Sequence, residues 1–103
     1  MKTIEKNYIN GPYMDGSYDY TVKFPKGMTV IEFIAAVINE DPQSYAAFYY
    51  STTDAKPVIA SYKDTNLKVE NEDLYTTLAN KEITSIVANG WSAACCFDIR
   101  VAE

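Results

Sequence analysis

Histidine is absent from this 103-residue sequence, and its absence removes several classes of function. Without an imidazole the chain cannot form a Ser-His or Cys-His nucleophile pair, nor a metal site built on histidine ligands. The two cysteines, Cys95 and Cys96, are adjacent and provide neither the four ligands of a structural zinc site nor Cys-x-x-Cys spacing. The four glycines are scattered and form no phosphate-binding loop. We therefore expect a protein without a metal, without a cofactor and without enzymatic activity.

Long apolar runs and targeting signals are missing as well. The longest apolar run, residues 33–38, is too short to cross a bilayer. Residues 1–13 lack the apolar segment of a signal peptide, and two adjacent cysteines do not form the disulfide framework of a small secreted domain. These features predict a cytoplasmic protein. Because the net charge of −5 repels nucleic-acid phosphates and anionic membranes, neither is expected as a direct partner.

Residues 29–39 carry the strongest local signal, that of an amphipathic helix. Thr29 followed by Glu32 predicts a capping box, in which each side chain accepts a hydrogen bond from the other residue's backbone N–H. At 3.6 residues per turn the apolar side chains fall within one sector of roughly 160°. This sector contains Val30, Ile31, Phe33, Ile34, Val37 and Ile38, whereas Glu32, Ala36 and Asn39 lie opposite. Burial of the apolar face is expected to make this helix the central element of the core.

Alternation of apolar and polar side chains predicts strands in much of the remaining chain. Strands are expected at residues 2–9, 18–24, 45–51 and 58–63, with a short extended piece at 67–69. The first two can form a hairpin with a long loop. Asn71 is expected to cap a second, short helix, in which Leu74, Tyr75 and Leu78 face the core.

The last part of the chain has the pattern of a second hairpin. Residues 82–88 and 91–101 flank Asn89-Gly90, a pair that favours a type I′ turn. A two-residue turn at this pair places mostly apolar side chains on one face, which we expect to be buried beneath the first helix. This face contains Ile86, Ala88, Trp91, Ala93, Cys95, Phe97, Ile99 and Val101.

These elements predict a single α+β domain over residues 1–103. Its expected form is a mostly antiparallel β-sheet with one long amphipathic helix packed on one face, in ββαββ(α)ββ order, plus a second short helix. On the strand-Pro25-Lys26-Gly27-helix segment and the order of elements, the layout loosely resembles that of the β-grasp, ubiquitin-like architecture.

Tyrosine is abundant, with nine residues, and it suits binding surfaces because it combines a large contact area with few rotors and a polar tip. The segment 11–20 mixes Tyr, Gly, Ser and Asp in a composition similar to that of antibody contact loops. The residues expected to contact a partner are Tyr13, Met14, Asp15, Tyr18 and Asp19. The leading hypothesis is therefore a small acidic, non-enzymatic protein–protein interaction domain. Its partner can also be a second copy of the same chain, which would form a homo-oligomer.

Two other functions stay open from the sequence. The first is a small inhibitor of the kind carried by phages and mobile elements, similar to anti-CRISPR proteins, whose acidic surface imitates nucleic-acid phosphates. That function requires its carboxylates to cluster on one face, namely those of Glu40, Asp41, Glu70, Glu72 and Asp73. The second is an enzyme that uses carboxylates or tyrosines alone, which requires a deep apolar pocket around an Asp or Glu.

Overall fold

The computed structural model describes residues 2–52, 54–91 and 94–102 of the chain. In these residues the chain forms a mixed α/β fold with seven strands and two helices. The strands are β1 (Glu5–Asn10), β2 (Ser17–Lys23), β3 (Tyr45–Tyr50), β4 (Val58–Lys63), β5 (Asn66–Val69), β6 (Ile83–Trp91) and β7 (Ala94–Val101). The helices are α1 (Val30–Glu40) and α2 (Glu72–Leu78). Of the helices in these ranges, none has the length and apolar character needed to span a membrane.

The strands form one sheet in the order β1-β2-β6-β7-β3-β4-β5. Neighbouring strands are antiparallel except β3 and β7, which are parallel. Because β2 and β3 both run parallel to β7, α1 is the crossover connection between them. The observed order is ββαβββαββ, since the short extended piece after β4 is paired as the additional strand β5. The β-grasp-like layout is not confirmed, and the β1–β2 hairpin lies at one end of the sheet.

The first helix begins where the capping box predicts. The Thr29 hydroxyl accepts a hydrogen bond from the Glu32 backbone N–H at 3.3 Å, and Glu32 Oε1 accepts one from the Thr29 backbone N–H at 3.0 Å. Asn71 caps α2 in the predicted way, because its Oδ1 accepts from the Leu74 N–H at 3.1 Å. However, α1 has 11 residues, which is about average for a helix, so the expectation of one long helix is not supported.

The buried face of α1 is rotated relative to the predicted one. Ile31 is 41% exposed, whereas Ala36, which was expected on the solvent side, is buried. The segment before β1 explains this rotation: Lys2, Thr3 and Ile4 lie along the Ala36 side of the helix. Since the chain itself covers this side, Ala36 is enclosed and Ile31 is turned toward solvent.

The predicted turn at Asn89-Gly90 is wrong, because both residues belong to β6. Strand β6 continues to Trp91, which pairs with Ala94 at the start of β7. Ser92 and Ala93 lie outside the described residues, so the prediction that Ala93 faces the core falls there as well. Asn89 remains in the strand because it is paired on both sides: it is opposite Asp19 of β2 and opposite Cys96 of β7.

Because β6 continues through Asn89-Gly90, Trp91 lies on the face of the sheet opposite to the predicted one. In β6 the core face carries Ala88 and Gly90, which are opposite Phe97 and Cys95. Trp91 therefore points away from the helices and is 61% exposed, in contrast to the predicted burial. The β7 part of the predicted face is correct, since Cys95, Phe97 and Ile99 are buried.

Three phenylalanine rings join α1 to the middle of the sheet. Phe33 of α1 lies 5.2 Å from Phe97 of β7 and 6.0 Å from Phe48 of β3, measured between ring centroids, and both contacts are edge-to-face. Phe48 and Phe97 stack at 5.6 Å across the parallel strand pair. Leu78 of α2 belongs to the same buried cluster. Both helices therefore pack on one face of the sheet.

Candidate functional site

The sheet face opposite the helices is left open by the part of the chain that the structure describes. Its residues follow from the register: Trp91 of β6 is opposite Ala94 of β7, and Ala94 is opposite Tyr45 of β3. Side chains that are opposite each other point to the same face. Trp91, Tyr45 and Val87 are exposed on this face. Exposed large apolar side chains grouped on one face are typical of interaction surfaces.

The predicted contact loop, residues 11–20, is shorter in the structure, because residues 17–20 belong to β2. The remaining residues, 11–16, are held by hydrogen bonds among themselves and to Ser17. The Tyr13 N–H donates to the Ser17 carbonyl and the Gly16 N–H donates to the Tyr13 carbonyl, both at 2.9 Å. Asp15 Oδ1 accepts from the Ser17 hydroxyl at 2.7 Å and from the Ser17 N–H at 3.0 Å. These two bonds lower the pKa of the Asp15 carboxyl. The loop is thus fixed in one shape from within.

Two side chains of this loop, those of Tyr13 and Met14, are exposed to solvent. Tyr13 is 46% exposed, and its hydroxyl donates to Asp19 Oδ2 at 2.7 Å, which raises the pKa of the phenol. Met14 is exposed over its full side chain, at 108% of the reference area. A rigid tyrosine beside a flexible methionine combines a fixed contact with an adaptable one.

Trp91 joins this loop to the open face. Its indole Nε1 donates a hydrogen bond to the Asp15 carbonyl, and a Cβ at Gly16 would lie 3.3 Å from the same nitrogen. Tyr13, Met14 and Asp15 therefore lie next to the exposed end of the sheet. We call the surface formed by Tyr13, Met14, Asp15, Trp91 and Tyr45 the loop–tryptophan surface.

Tyr18 is the one predicted contact residue that lies elsewhere. It is opposite Gly90, on the helix side of the sheet, and its ring is 5.7 Å from that of Tyr8 and 6.4 Å from that of Tyr20. Asp19 is on the open side, opposite Asn89. The structure thus brings four of the five predicted residues to one side of the sheet and separates Tyr18 from them.

The exposure of Trp91 and Tyr45 beside this loop was not predicted from the sequence. A signal was present in β6, where the positions alternating with Ala88 and Gly90 include the polar residues Ser85 and Asn89. If the strand is read through Asn89-Gly90 without a turn, Trp91 falls on this polar, exposed side. Between Trp91 and Tyr45 lies a shallow groove of about 310 Å³. It is lined by Gln43, Ser44, Tyr45, Lys63, Asp64, Trp91 and Ala94.

Two of the acidic residues required by the inhibitor function, Asp41 and Glu70, are held at different points along β4. The Asp41 carbonyl accepts a hydrogen bond from the Tyr62 hydroxyl at 2.9 Å, whereas the Glu70 N–H donates to the Ile59 carbonyl at 3.0 Å. Tyr62 and Ile59 are three residues apart in one strand, which is about 10 Å. Among the residues that the structure describes, no group of three or more Cys, Asp or Glu side chains is arranged to hold a metal ion.

The most enclosed cavity characterised in the described chain is small. It holds about 10 Å³, enough for one water molecule, and it lies beside Lys6, Asp41, Tyr62 and Cys95. Small-molecule sites in proteins are typically of several hundred Å³. No protein-family model matches this chain, and comparisons with curated proteins and with solved structures find no significant match. Function is therefore inferred from the geometry of the described residues.

Proposed function

We propose that this chain is a small protein-binding domain that contacts its partner through the loop–tryptophan surface. The observation that carries the proposal is the exposure of Trp91, 61% of whose surface faces solvent beside the fully exposed Met14. Tryptophan and tyrosine dominate binding energy at protein interfaces when they are buried by a partner. An enzyme that uses carboxylates needs an apolar pocket around an Asp or Glu, and the cavity beside Asp41 has room for only one water molecule.

The internal bonding of the loop supports the same proposal. A loop that is already ordered loses little conformational entropy when it binds, so more of the contact energy appears as affinity. The Asp15 and Tyr13 hydrogen bonds fix the loop, and the Trp91 indole attaches it to the sheet. The partner therefore meets a preformed surface.

The experiment begins with capture of a partner by the tagged wild-type chain from a lysate of the source organism, identified by mass spectrometry. Affinity is then measured for Met14→Ser and Trp91→Ala. We expect each substitution to weaken binding by about tenfold or more, as at interface hot spots. Leu67→Ser is the matched control, because Leu67 is also exposed but lies on β5 at the far end of the sheet.

Met14→Ser separates binding from stability. The side chain is fully exposed, so its replacement is expected to leave the melting temperature unchanged. Tyr13→Ala and Asp15→Ala test the same surface, but both also remove hydrogen bonds that hold the loop. Wild-type affinity in both Met14→Ser and Trp91→Ala, or equal losses in Leu67→Ser, would contradict the proposed surface.

The acidic-inhibitor function is the alternative proposal, and the positions of its carboxylates give it weaker support. Asp41 lies beside Tyr62, and Glu70 is anchored beside Ile59 and pairs with Lys68 at 3.8 Å. A surface that imitates phosphates should lose affinity steeply as salt is added, because exposed charges are screened. The same binding assay at low and high salt discriminates between the two functions, since stacking on Trp91 depends less on ionic strength.

A further inference from the structure

Lys6 and Cys95 form a partly buried contact that the proposed function does not use. Lys6 Nζ donates a hydrogen bond to Cys95 Sγ at 3.3 Å and lies 5.1 Å from the centroid of the Tyr20 ring. Cys95 is only 8% exposed. The two residues are 89 positions apart in sequence, and their strands, β1 and β7, are separated in the sheet by β2 and β6. The lysine side chain therefore reaches across two strands to meet the sulfur.

The neighbouring cysteine, Cys96, differs from Cys95 in its face of the sheet and in its contacts. Cys96 points to the opposite face of the sheet, where Asn89 and Ala47 are its cross-strand partners. In the described ranges no hydrogen bond reaches its sulfur. Burial raises the pKa of the Cys96 thiol, and the nearby sulfur of Cys95 and carboxylate of Asp98 add to this effect. The chain thus offers two adjacent cysteines, of which one contacts an amine.

The small cavity described above lies against this pair. Lys6 and Cys95 both line it, together with Ile4, Val37 and Tyr62, and its volume of about 10 Å³ admits one molecule the size of water. Hydrogen peroxide is only slightly larger than water, whereas an oxidant such as glutathione disulfide is far too large. The site therefore selects a small oxidant over a bulky one.

We propose that Lys6 and Cys95 form a covalent sulfur–nitrogen cross-link when the protein meets a hydroperoxide. In the first step the Cys95 sulfur attacks hydrogen peroxide, the O–O bond breaks, and a sulfenic acid and one water molecule result. In the second step the Lys6 amine, after losing a proton to water, attacks the sulfur. The N–S bond forms, the S–O bond breaks, and the oxygen leaves as a second water molecule.

The overall change is balanced without another reactant. One thiol, one ammonium group and one hydrogen peroxide give one N–S bond, two water molecules and one proton. The sulfur is oxidised by two electrons and the peroxide is reduced by two. Condensation of a sulfenic acid with a backbone nitrogen is a known reaction of protein cysteines, and here a side-chain amine lies 3.3 Å from the sulfur.

The yield of the cross-link is expected to rise with pH. Burial acts to lower the pKa of Lys6, but attraction to Cys95 and the hydrogen bond to its sulfur outweigh this effect, so the pKa is raised. The groups that face the ammonium are Cys95 of β7, Tyr20 of β2, Tyr62 of β4, and Glu40 and Asp41 at the end of α1. Since only the uncharged amine attacks sulfur, the cross-linked fraction should increase as Lys6 loses its proton.

The experiment treats the purified wild-type chain with hydrogen peroxide, blocks remaining thiols, digests the protein and analyses the peptides by mass spectrometry. The expected product joins the peptide that contains Lys6 to the peptide that contains Cys95 and is two hydrogen atoms lighter than their sum. Lys6→Arg keeps the positive charge but should abolish the product, whereas Cys96→Ser should retain it. Dithiothreitol should release the two peptides.

A second measurement does not depend on any variant. The cross-link closes a loop of 89 residues, and such a constraint on the unfolded chain should raise the melting temperature of the oxidised wild-type protein by roughly 10–20 °C. Oxidation of Cys95 to oxygen-bearing acids with Lys6 left free would overturn the proposal. A linked peptide that keeps one oxygen atom would overturn the direct sulfur–nitrogen bond, and modification of Cys96 in preference to Cys95 would overturn the role of Lys6.

Discussion

Gly90 lies directly beneath the ring of Tyr20, which leaves no room for a side chain. A Cβ built at this position would be 2.7 Å from Tyr20 Cε2 and 3.0 Å from the Ala94 carbonyl oxygen. The glycine is needed here for close approach inside a strand, since position 90 lies within β6. The same contact lets the tyrosine pack across β6 toward the Lys6–Cys95 pair.

A side chain at position 90 is therefore expected to destabilise the fold. Gly90→Ala is expected to lower the free energy of unfolding by about 1–3 kcal/mol, because the added methyl group overpacks the site. Asn89→Ala, at the exposed neighbouring position, should change it by less than about 0.5 kcal/mol. Denaturant unfolding followed by circular dichroism measures both. Equal stability of the two variants would show that Tyr20 moves aside freely.

At the scale of one element, the first turn of α1 makes the stability of the fold depend on pH in the acid range. Glu32 accepts hydrogen bonds from the Thr29 N–H and from Lys2 Nζ, which lower the pKa of its carboxyl below the ordinary value of 4.5. A group with a depressed pKa in the folded state stabilises the fold above its unfolded pKa. That contribution is lost as the pH falls through the pKa of the folded state.

The variant Glu32→Gln tests this dependence. Wild type should be more stable than the variant at pH 7, and the difference should shrink below pH 4.5 and disappear once Glu32 is protonated. Melting temperatures of both proteins across the acid range measure it. A difference that stays constant from pH 7 to pH 3 would show that the carboxylate charge at the helix start contributes nothing.

Local signals explain which elements could be predicted from the sequence. The capping box of α1 and the Asn71 cap of α2 each depend on residues three positions apart, so the sequence contained all the needed information. The end of β6 depends on Asp19, which is distant in the chain, and its pairing with Asn89 overrides the turn preference of Asn89-Gly90. The loop at residues 11–16 could be found by composition, but its attachment to Trp91 joins positions 76 residues apart.

At the scale of the whole molecule, β7 holds the β1-β2-β6 part and the β3-β4-β5 part of the sheet together. On one side it pairs with β6 and on the other with β3, and Phe97 and Ile99 are fully buried between them and α1. The strands at the two ends of the sheet, β1 and β5, are each paired on one side only. Protection from solvent should therefore fall from the middle of the sheet to its ends.

Hydrogen exchange tests this gradient. Backbone amides of β3 and β7 should exchange slowest, at rates set by global unfolding, and those of β5 and β1 should exchange much faster. Exchange followed by mass spectrometry or NMR resolves the strands. Fast exchange in β7 with slow exchange in β1 would contradict the observed strand order.

The central place of β7 also determines when the chain can fold during its synthesis. Strands β1 to β6 leave the ribosome first, but the parallel pairing that connects β3 to the β1-β2-β6 half needs residues 94–101. Translation must therefore carry both halves in an incomplete state until Val101 emerges, with the apolar face of α1 still uncovered. A nascent chain stalled before Ala94 should be degraded readily by proteases, and one stalled with Val101 beyond the exit tunnel should resist them.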